Sequence, residues 1–236
     1  MKIVFEFFYN FLDNYVHRVR IINYLKKIKL QLNYIIDVGS HKGESLETFK
    51  KINKNSNIFC FEPQVDCFYF LKKKFKFEKN IRIFNYALSN KKGKKVIFKN
   101  ILSTTSTFSK LNFKSKHFKI KSTVLNNKSA GFFAKNKVRI NTLSFFIKKY
   151  KIKKVDLLKI DTEGHELQVL LGSKKILKNI KLILIERNLT DYYLNYDYSK
   201  IERLLHINYF KKIRSFKFPF MQYQDILYLN TKLNNS

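Results

Sequence analysis

The segment Ile35-Ile36-Asp37-Val38-Gly39-Ser40-His41-Lys42-Gly43-Glu44 limits the fold of this chain more than any other. A short apolar run is the pattern of a strand buried on both faces. It ends in a turn that holds two of only six glycines in 236 residues, and a helical period begins at Glu44. Strand, glycine turn and helix in immediate succession form the first half of a βαβ unit. Gly39 permits a sharp turn at the strand end, and Gly43 is expected to let helix and strand approach closely. The start of the following helix presents free N–H groups and a partial positive charge, which suits an anion.

The alternation continues along the chain. Asn33–Val38, Asn57–Phe61 and Ile81–Tyr86 read as strands, with helices over Glu44–Ile52 and Val65–Phe75 between them. Lys91–Lys95 contains Gly93 and reads as a hairpin turn leading into a strand to Lys99. The middle, Asn100–Lys137, is less regular, with a Ser/Thr run from Ser103 to Thr107, and reads as an excursion of the kind that carries substrate contacts. Val138–Leu143, Val155–Ile160, Leu182–Ile185, Lys212–Phe218 and Asp225–Asn230 read as further strands. Helices are expected up to Tyr150, over Glu166–Leu177 and over Tyr198–Phe210. Repetition of this kind needs crossover connections, so the class is α/β with a mainly parallel sheet.

No Pro/Gly-rich linker divides the chain. The reading is one domain, 33–236, with a helical extension, 1–32. In that extension Val4, Phe8, Phe11 and Tyr15 recur at steps of three or four and predict a helix packing this stripe on the domain. A membrane-surface contact and a dimer contact are the alternatives. The run to Leu12 is too short and too polar to span a bilayer.

The formal charge is +31, from 48 Lys and Arg against 17 Asp and Glu. Alone, it points to a polyanionic partner such as nucleic acid, an anionic membrane or an acidic glycan. However, the lysines are spread along the whole chain. Lys, Asn, Ile, Phe and Tyr, all with A/T-rich codons, are abundant together, so a compositional origin is preferred. Cys60 and Cys67 are the only cysteines and have no metal-ligand or disulfide spacing. A reduced, cytoplasmic setting without a structural metal is expected.

Three segments carry chemistry. The first has the spacing D-x-G-x-x-x-G rather than the G-x-G-x-x-G of folds that cradle a pyrophosphate. It lacks the middle glycine such a ligand requires, which favours S-adenosyl-L-methionine over a dinucleotide, with Asp37, Gly39 and Gly43 as its motif. The second, Ile58-Phe59-Cys60-Phe61-Glu62-Pro63, is an apolar strand ending in an acid 25 residues after Asp37. Glu62 at that place can accept hydrogen bonds from both ribose hydroxyls. The third is Lys159-Ile160-Asp161-Thr162-Glu163-Gly164-His165-Glu166, followed by Leu170-Leu171-Gly172.

The third segment resembles the signature of the FkbM methyltransferase family, K-I-D-x-E-G-x-E with a following L-x-G. Other family-like features flank it: Tyr86–Asn90, the Ser103–Thr107 patch, Asn141-Thr142-Leu143 and Leu184-Ile185-Glu186. Ser144 stands where the family has Asp, and Ser40-His41 where it has Ala-Asn. The resemblance spans about 33–186. It implies a Rossmann-like class I methyltransferase fold: a mostly parallel seven-stranded sheet with one antiparallel strand near its C-terminal end, and helices on both faces. It also implies transfer of a methyl group from S-adenosyl-L-methionine to a hydroxyl of a sugar or secondary metabolite. Asp161, Glu163 and Glu186 would then converge near the methyl group.

An alcohol acceptor must lose a proton, and the candidates to take it, in order, are Asp161, Glu163, His41 and His165. The clustered acids could instead bind a divalent cation, which is not expected. Two rivals are kept. An RNA methyltransferase suits the charge, but Asp161-Thr162-Glu163-Gly164 lacks the prolines of base-amine enzymes. A catalytically silent module would keep the cofactor motif without turnover.

Overall fold

The computed structural model of the chain describes residues 8, 11–99, 106–116, 118–119, 134–194, 196–219 and 223–233. Strands β1 (Tyr34–Val38), β2 (Asn57–Phe61), β3 (Ile81–Phe84), β7 (Val155–Ile160), β8 (Ile180–Asn188), β9 (Phe210–Lys217) and β10 (Tyr223–Asn230) form one seven-stranded sheet. Its order is β3-β2-β1-β7-β8-β10-β9. β1 pairs in parallel with both β2 and β7, β7 with β8, and β2 with β3, while β10 runs antiparallel to β8 and β9. This is the arrangement the family resemblance implies.

Helices cover both faces. Helix α1 (Arg18–Lys27), preceded by a π-helical turn over Asp13–His17, lies on one face with α2 (Glu44–Ile52) and α3 (Val65–Lys74). Helices α4 (Leu143–Lys149), α5 (Glu166–Ser173) and α6 (Tyr198–Ile207) lie on the other. All six residues of β7 are therefore buried, as a central parallel strand requires. The two core layers meet there: Leu157 packs with Ile35, Leu46 and Phe49, and Leu158 with Phe146, Val169 and Leu205.

The structure corrects four sequence-based expectations. Ala87–Leu88 (β4) and Gly93–Lys99 (β5) do not form a hairpin with each other. β6 (Ala134–Asn141) inserts between them, parallel to β4 and antiparallel to β5. The helix predicted over Glu166–Leu177 ends at Ser173 and tightens into a 3-10 segment, Lys174–Asn179. The close approach at Gly43 is to α3 rather than to a strand: an added Cβ would lie 2.5 Å from the Phe75 ring and 3.0 Å from Leu71.

The N-terminal helix buries a different stripe from the one expected. Phe8, Phe11 and Tyr15 are exposed, and Val4 lies outside the described residues. The buried residues are Leu12, His17, Ile21, Ile22 and Leu25. The step of five from Leu12 to His17 is the register of the π-helical turn, which adds a residue to one turn and rotates the inward face. No described helix is long and apolar enough to cross a membrane.

Gly172 explains why a glycine follows α5's Leu170-Leu171. A Cβ there would lie 2.0 Å from the Ser89 carbonyl oxygen. Gly172→Ala must therefore push α5 off the chain after β4. We predict a loss of about 3 kcal/mol of stability, read as a lower urea midpoint at unchanged m-value.

Candidate active site

A cleft runs over the carboxyl ends of β2, β1, β7 and β8. Its walls include Gly39, His41, Glu44, Glu62, Leu88, Ser106, Asp161, Glu163 and Glu186, and also Arg18, His17 and Asp225. Ligands of open α/β sheets bind at this edge.

The loop after β1 is held tightly. Gly39 has φ +86°, and a Cβ on it would lie 1.8 Å from the Asp161 carbonyl oxygen. Only glycine therefore lets the ends of β1 and β7 meet. Gly43 closes the turn at φ +87° and leads into α2. Asp37 lies fully buried beneath the loop, with its carboxylate 3.8 Å from Lys159 Nζ, and it does not line the cleft. Burial raises its pKa, against the pull of Lys159.

Glu62 is 3% exposed and fixed by two amides. The His41 N–H donates to one oxygen at 2.9 Å and the Gln64 N–H to the other at 2.8 Å. Burial pushes its pKa up to about 7, although both amides favour the ionised form. The carboxylate thus stands at the strand end, oriented and facing the cleft. The His41 ring is engaged separately, 3.0 Å from Glu44 Oε1.

The segment after β7 brings three acids together. One carboxylate oxygen from each of Asp161, Glu163 and Glu186 lies within 4.8 Å of the others. Glu163 and Gly164 both have positive φ, +52° and +91°. Glu166 holds this strained turn by accepting from the N–H groups of Thr162 and Gly164, at 3.1 and 3.0 Å. From the central excursion, the Thr107 hydroxyl donates to the Glu163 carbonyl and the Ser109 hydroxyl to the Gly164 carbonyl. Thr107 belongs to the Ser/Thr patch seen in the sequence; Ser103 to Thr105 lie outside the described residues. Ser106 lines the cleft, and its buried hydroxyl has no hydrogen-bond partner among the described residues.

The three acids are not equivalent. Asp161 accepts from Lys159 Nζ at 2.9 Å. Glu163 accepts from the Tyr193 hydroxyl. Glu186 has no hydrogen bond or ion pair with any described residue. Its burial, with the charges of Asp161 and Glu163 next in weight, then Asp225 and Glu166, raises its pKa well above the usual carboxylate range. His165 stands apart from this group. It is buried, its Nε2 is 3.0 Å from the Ser89 hydroxyl, and burial lowers its pKa to about 3. Ser144 also lies away from the cleft, where its hydroxyl donates to the Gly172 carbonyl and ties α4 to α5.

The profile of the "Methyltransferase FkbM domain" matches residues 37–218. The chain belongs to the FkbM methyltransferase family. It is thus an S-adenosylmethionine-dependent methyltransferase, and the matched span contains Asp37, Gly39, Gly43, Glu62, Asp161, Glu163 and Glu186. No curated protein matches it significantly. Among solved structures, the METTL16 MTase domain is similar at TM-score 0.52 and 11% identity, covering 90% of this chain and 67% of that one. The N-terminal domain of human METTL16 in complex with SAH gives TM-score 0.51 and 11% identity, covering 90% and 70%. A SAM-dependent methyltransferase from Aquifex aeolicus gives 0.48 and 10%, covering 89% and 88%. At these identities the likeness to the two METTL16 structures is one of fold.

The sequence did not reveal the contribution of the N-terminal helix to the cleft. His17 Nε2 and Asp225 Oδ2 lie 2.7 Å apart, pinning that helix to β10. The charge of the cleft is equally unexpected. Asp13, Glu44, Glu62, Asp161, Glu163, Glu186 and Asp225 line it, seven of the chain's 17 acidic residues. Of its 48 Lys and Arg, only Arg18 and Lys159 do so among the described residues.

Proposed function

We propose that this domain O-methylates a hydroxyl of a small acceptor of the sugar or secondary-metabolite kind, with Glu186 as the proton acceptor. S-adenosyl-L-methionine supplies the methyl group on a sulfonium, whose loss to the acceptor oxygen leaves S-adenosylhomocysteine. Glu62 accepts from the ribose hydroxyls, and the loop at Gly39 forms the cleft wall between the ends of β1 and β7. Asp37 and Gly43 support that loop from beneath. Asp161 and Glu163 shape the acceptor end, each with an oxygen already taken by a donor. His41 orients Glu62 through its N–H.

The observation that carries this reading is the carboxylate of Glu186, unpaired among the described residues, beside two paired ones at the open end of the sheet. Amine methylation needs no such base once the amine is neutral, whereas an alcohol does. The acidic lining also suits a cationic sulfonium and a neutral acceptor better than a polyanion. It thus weighs against RNA, despite the basic exterior. In this proposal the three acids serve the reaction without a metal ion.

The test is S-adenosylhomocysteine release from S-adenosyl-L-methionine over a panel of mono- and oligosaccharides, polyols and short RNAs. Release with a hydroxylated small molecule, and methoxy product by mass, is the expected result. Transfer to RNA alone would overturn the acceptor class. Cofactor binding without transfer to any of them would support a silent module.

A further inference from the structure

We infer that Arg18, on the helix ahead of β1, is the residue that receives the carboxylate of the cofactor's methionine moiety. The inference rests on the reading of the cleft as an S-adenosyl-L-methionine site and adds a residue from outside the matched family span.

A carboxylate entering this cleft meets strong opposition, because seven acidic side chains already line it. Like charges a few ångströms apart in a partly buried cleft repel more strongly than in open water. The ligand's own carboxylate therefore needs a cation. Lys159 lies between two carboxylates, its ammonium 2.9 Å from Asp161 and 3.8 Å from Asp37, whereas Arg18 is shared with one, Asp13. Arg18 is the other cation of the lining among the described residues. Its guanidinium is planar with five N–H donors, suited to a carboxylate.

Its position agrees with the layout of the ligand. Glu62 at the end of β2 marks the ribose, and β1 lies next in the sheet. On the far side of the β1 loop, Arg18 Nη1 donates to the carbonyl of Glu44, the first residue of α2, at 3.2 Å. That helix start has free N–H groups and favours negative charge. The Arg18 side chain is 14% exposed and is paired with Asp13, which is 15% exposed. The ion pair offers both signs to a group that is itself a zwitterion, with the carboxylate for Arg18 and the ammonium for Asp13. The contact between His17 and Asp225 fixes the helix, so the guanidinium is presented by a rigid wall.

The test is calorimetric titration of the full chain with two ligands. S-adenosylhomocysteine has the amino-acid moiety, and 5′-methylthioadenosine lacks it. Arg18→Gln should weaken S-adenosylhomocysteine 10- to 100-fold and leave 5′-methylthioadenosine within twofold, with Arg18→Lys falling between. Retained 5′-methylthioadenosine affinity also reports that the variant is folded. Unchanged S-adenosylhomocysteine affinity in Arg18→Gln would overturn the inference. So would equal losses for both ligands in a folded variant, which would make Arg18 a prop for the cleft wall. If wild type binds neither ligand, the cofactor reading fails and takes this inference with it.

Discussion

Glu186→Gln is expected to slow methyl transfer to a hydroxyl acceptor by about 10²- to 10⁴-fold, the usual span of a positioned general base, while leaving S-adenosylhomocysteine affinity nearly unchanged. The amide keeps the shape of the side chain and removes its ability to take a proton. Asp161→Asn and Glu163→Gln differ in kind. They release Lys159 and Tyr193 from their partners, so cofactor affinity or stability should move along with rate.

The sign of the pH dependence follows from the surroundings of Glu186. Burial and the charges of Asp161 and Glu163 raise its pKa, and only the ionised form is a base. Rate should therefore climb with pH until Glu186 has lost its proton in the loaded enzyme. A sulfonium in the cleft favours that loss, and the neutral sulfur of S-adenosylhomocysteine does not. Binding of S-adenosyl-L-methionine should thus release more protons than binding of S-adenosylhomocysteine, measured by calorimetry in buffers of different ionisation enthalpy. In Glu186→Gln the difference between the two ligands should shrink. Equal release by both ligands in wild type, with an unaltered rate in the variant, would remove Glu186 from the reaction.

The second large effect concerns Glu62. Its carboxyl titrates near pH 7 in the empty protein because burial outweighs the two amides that favour its charge. The ionised form accepts both ribose hydroxyls, and the protonated form gives up one acceptor. Cofactor affinity should therefore rise from pH 6 to pH 8 and level off above that. Without ligand the sign for stability is opposite. The folded pKa exceeds the ordinary 4.5, so this group costs stability as pH climbs from that value to about 7. Glu62→Gln should weaken binding about 10- to 100-fold at pH 8, the size of one or two charge-assisted hydrogen bonds, and should flatten the pH response. A wild type with no pH response, or a variant that binds as well, would place the ribose elsewhere.

Much of this site is legible in sequence because parallel α/β sheets put functional residues at strand ends. Asp37–Gly43, Glu62, Asp161 and Glu186 each follow an apolar run, and the pairing of β1 with β2 and β7 brings those ends together. Distinctions within the site are not legible, since they depend on side chains from distant segments. Tyr193, 30 residues after Glu163, separates that acid from Glu186. His17 meets Asp225 across 208 residues. The inward face of the N-terminal helix could not be read from a 3.6-residue period because the π-helical turn at Asp13–His17 changes the register. The β4-β6-β5 sheet was hidden for a related reason. β6 reaches its place only after the excursion that begins near residue 100, so local pattern suggested a hairpin where a long-range insertion exists.

The central claim is that the cleft is a cofactor site serving methyl transfer, and titration of S-adenosylhomocysteine into the full wild-type chain tests it most directly. The account predicts one site per chain, with a dissociation constant on the order of micromolar, within the usual span for enzyme ligands. It also predicts tighter binding at pH 8 than at pH 6. A folded protein that takes up neither S-adenosylhomocysteine nor S-adenosyl-L-methionine at millimolar concentration would contradict it.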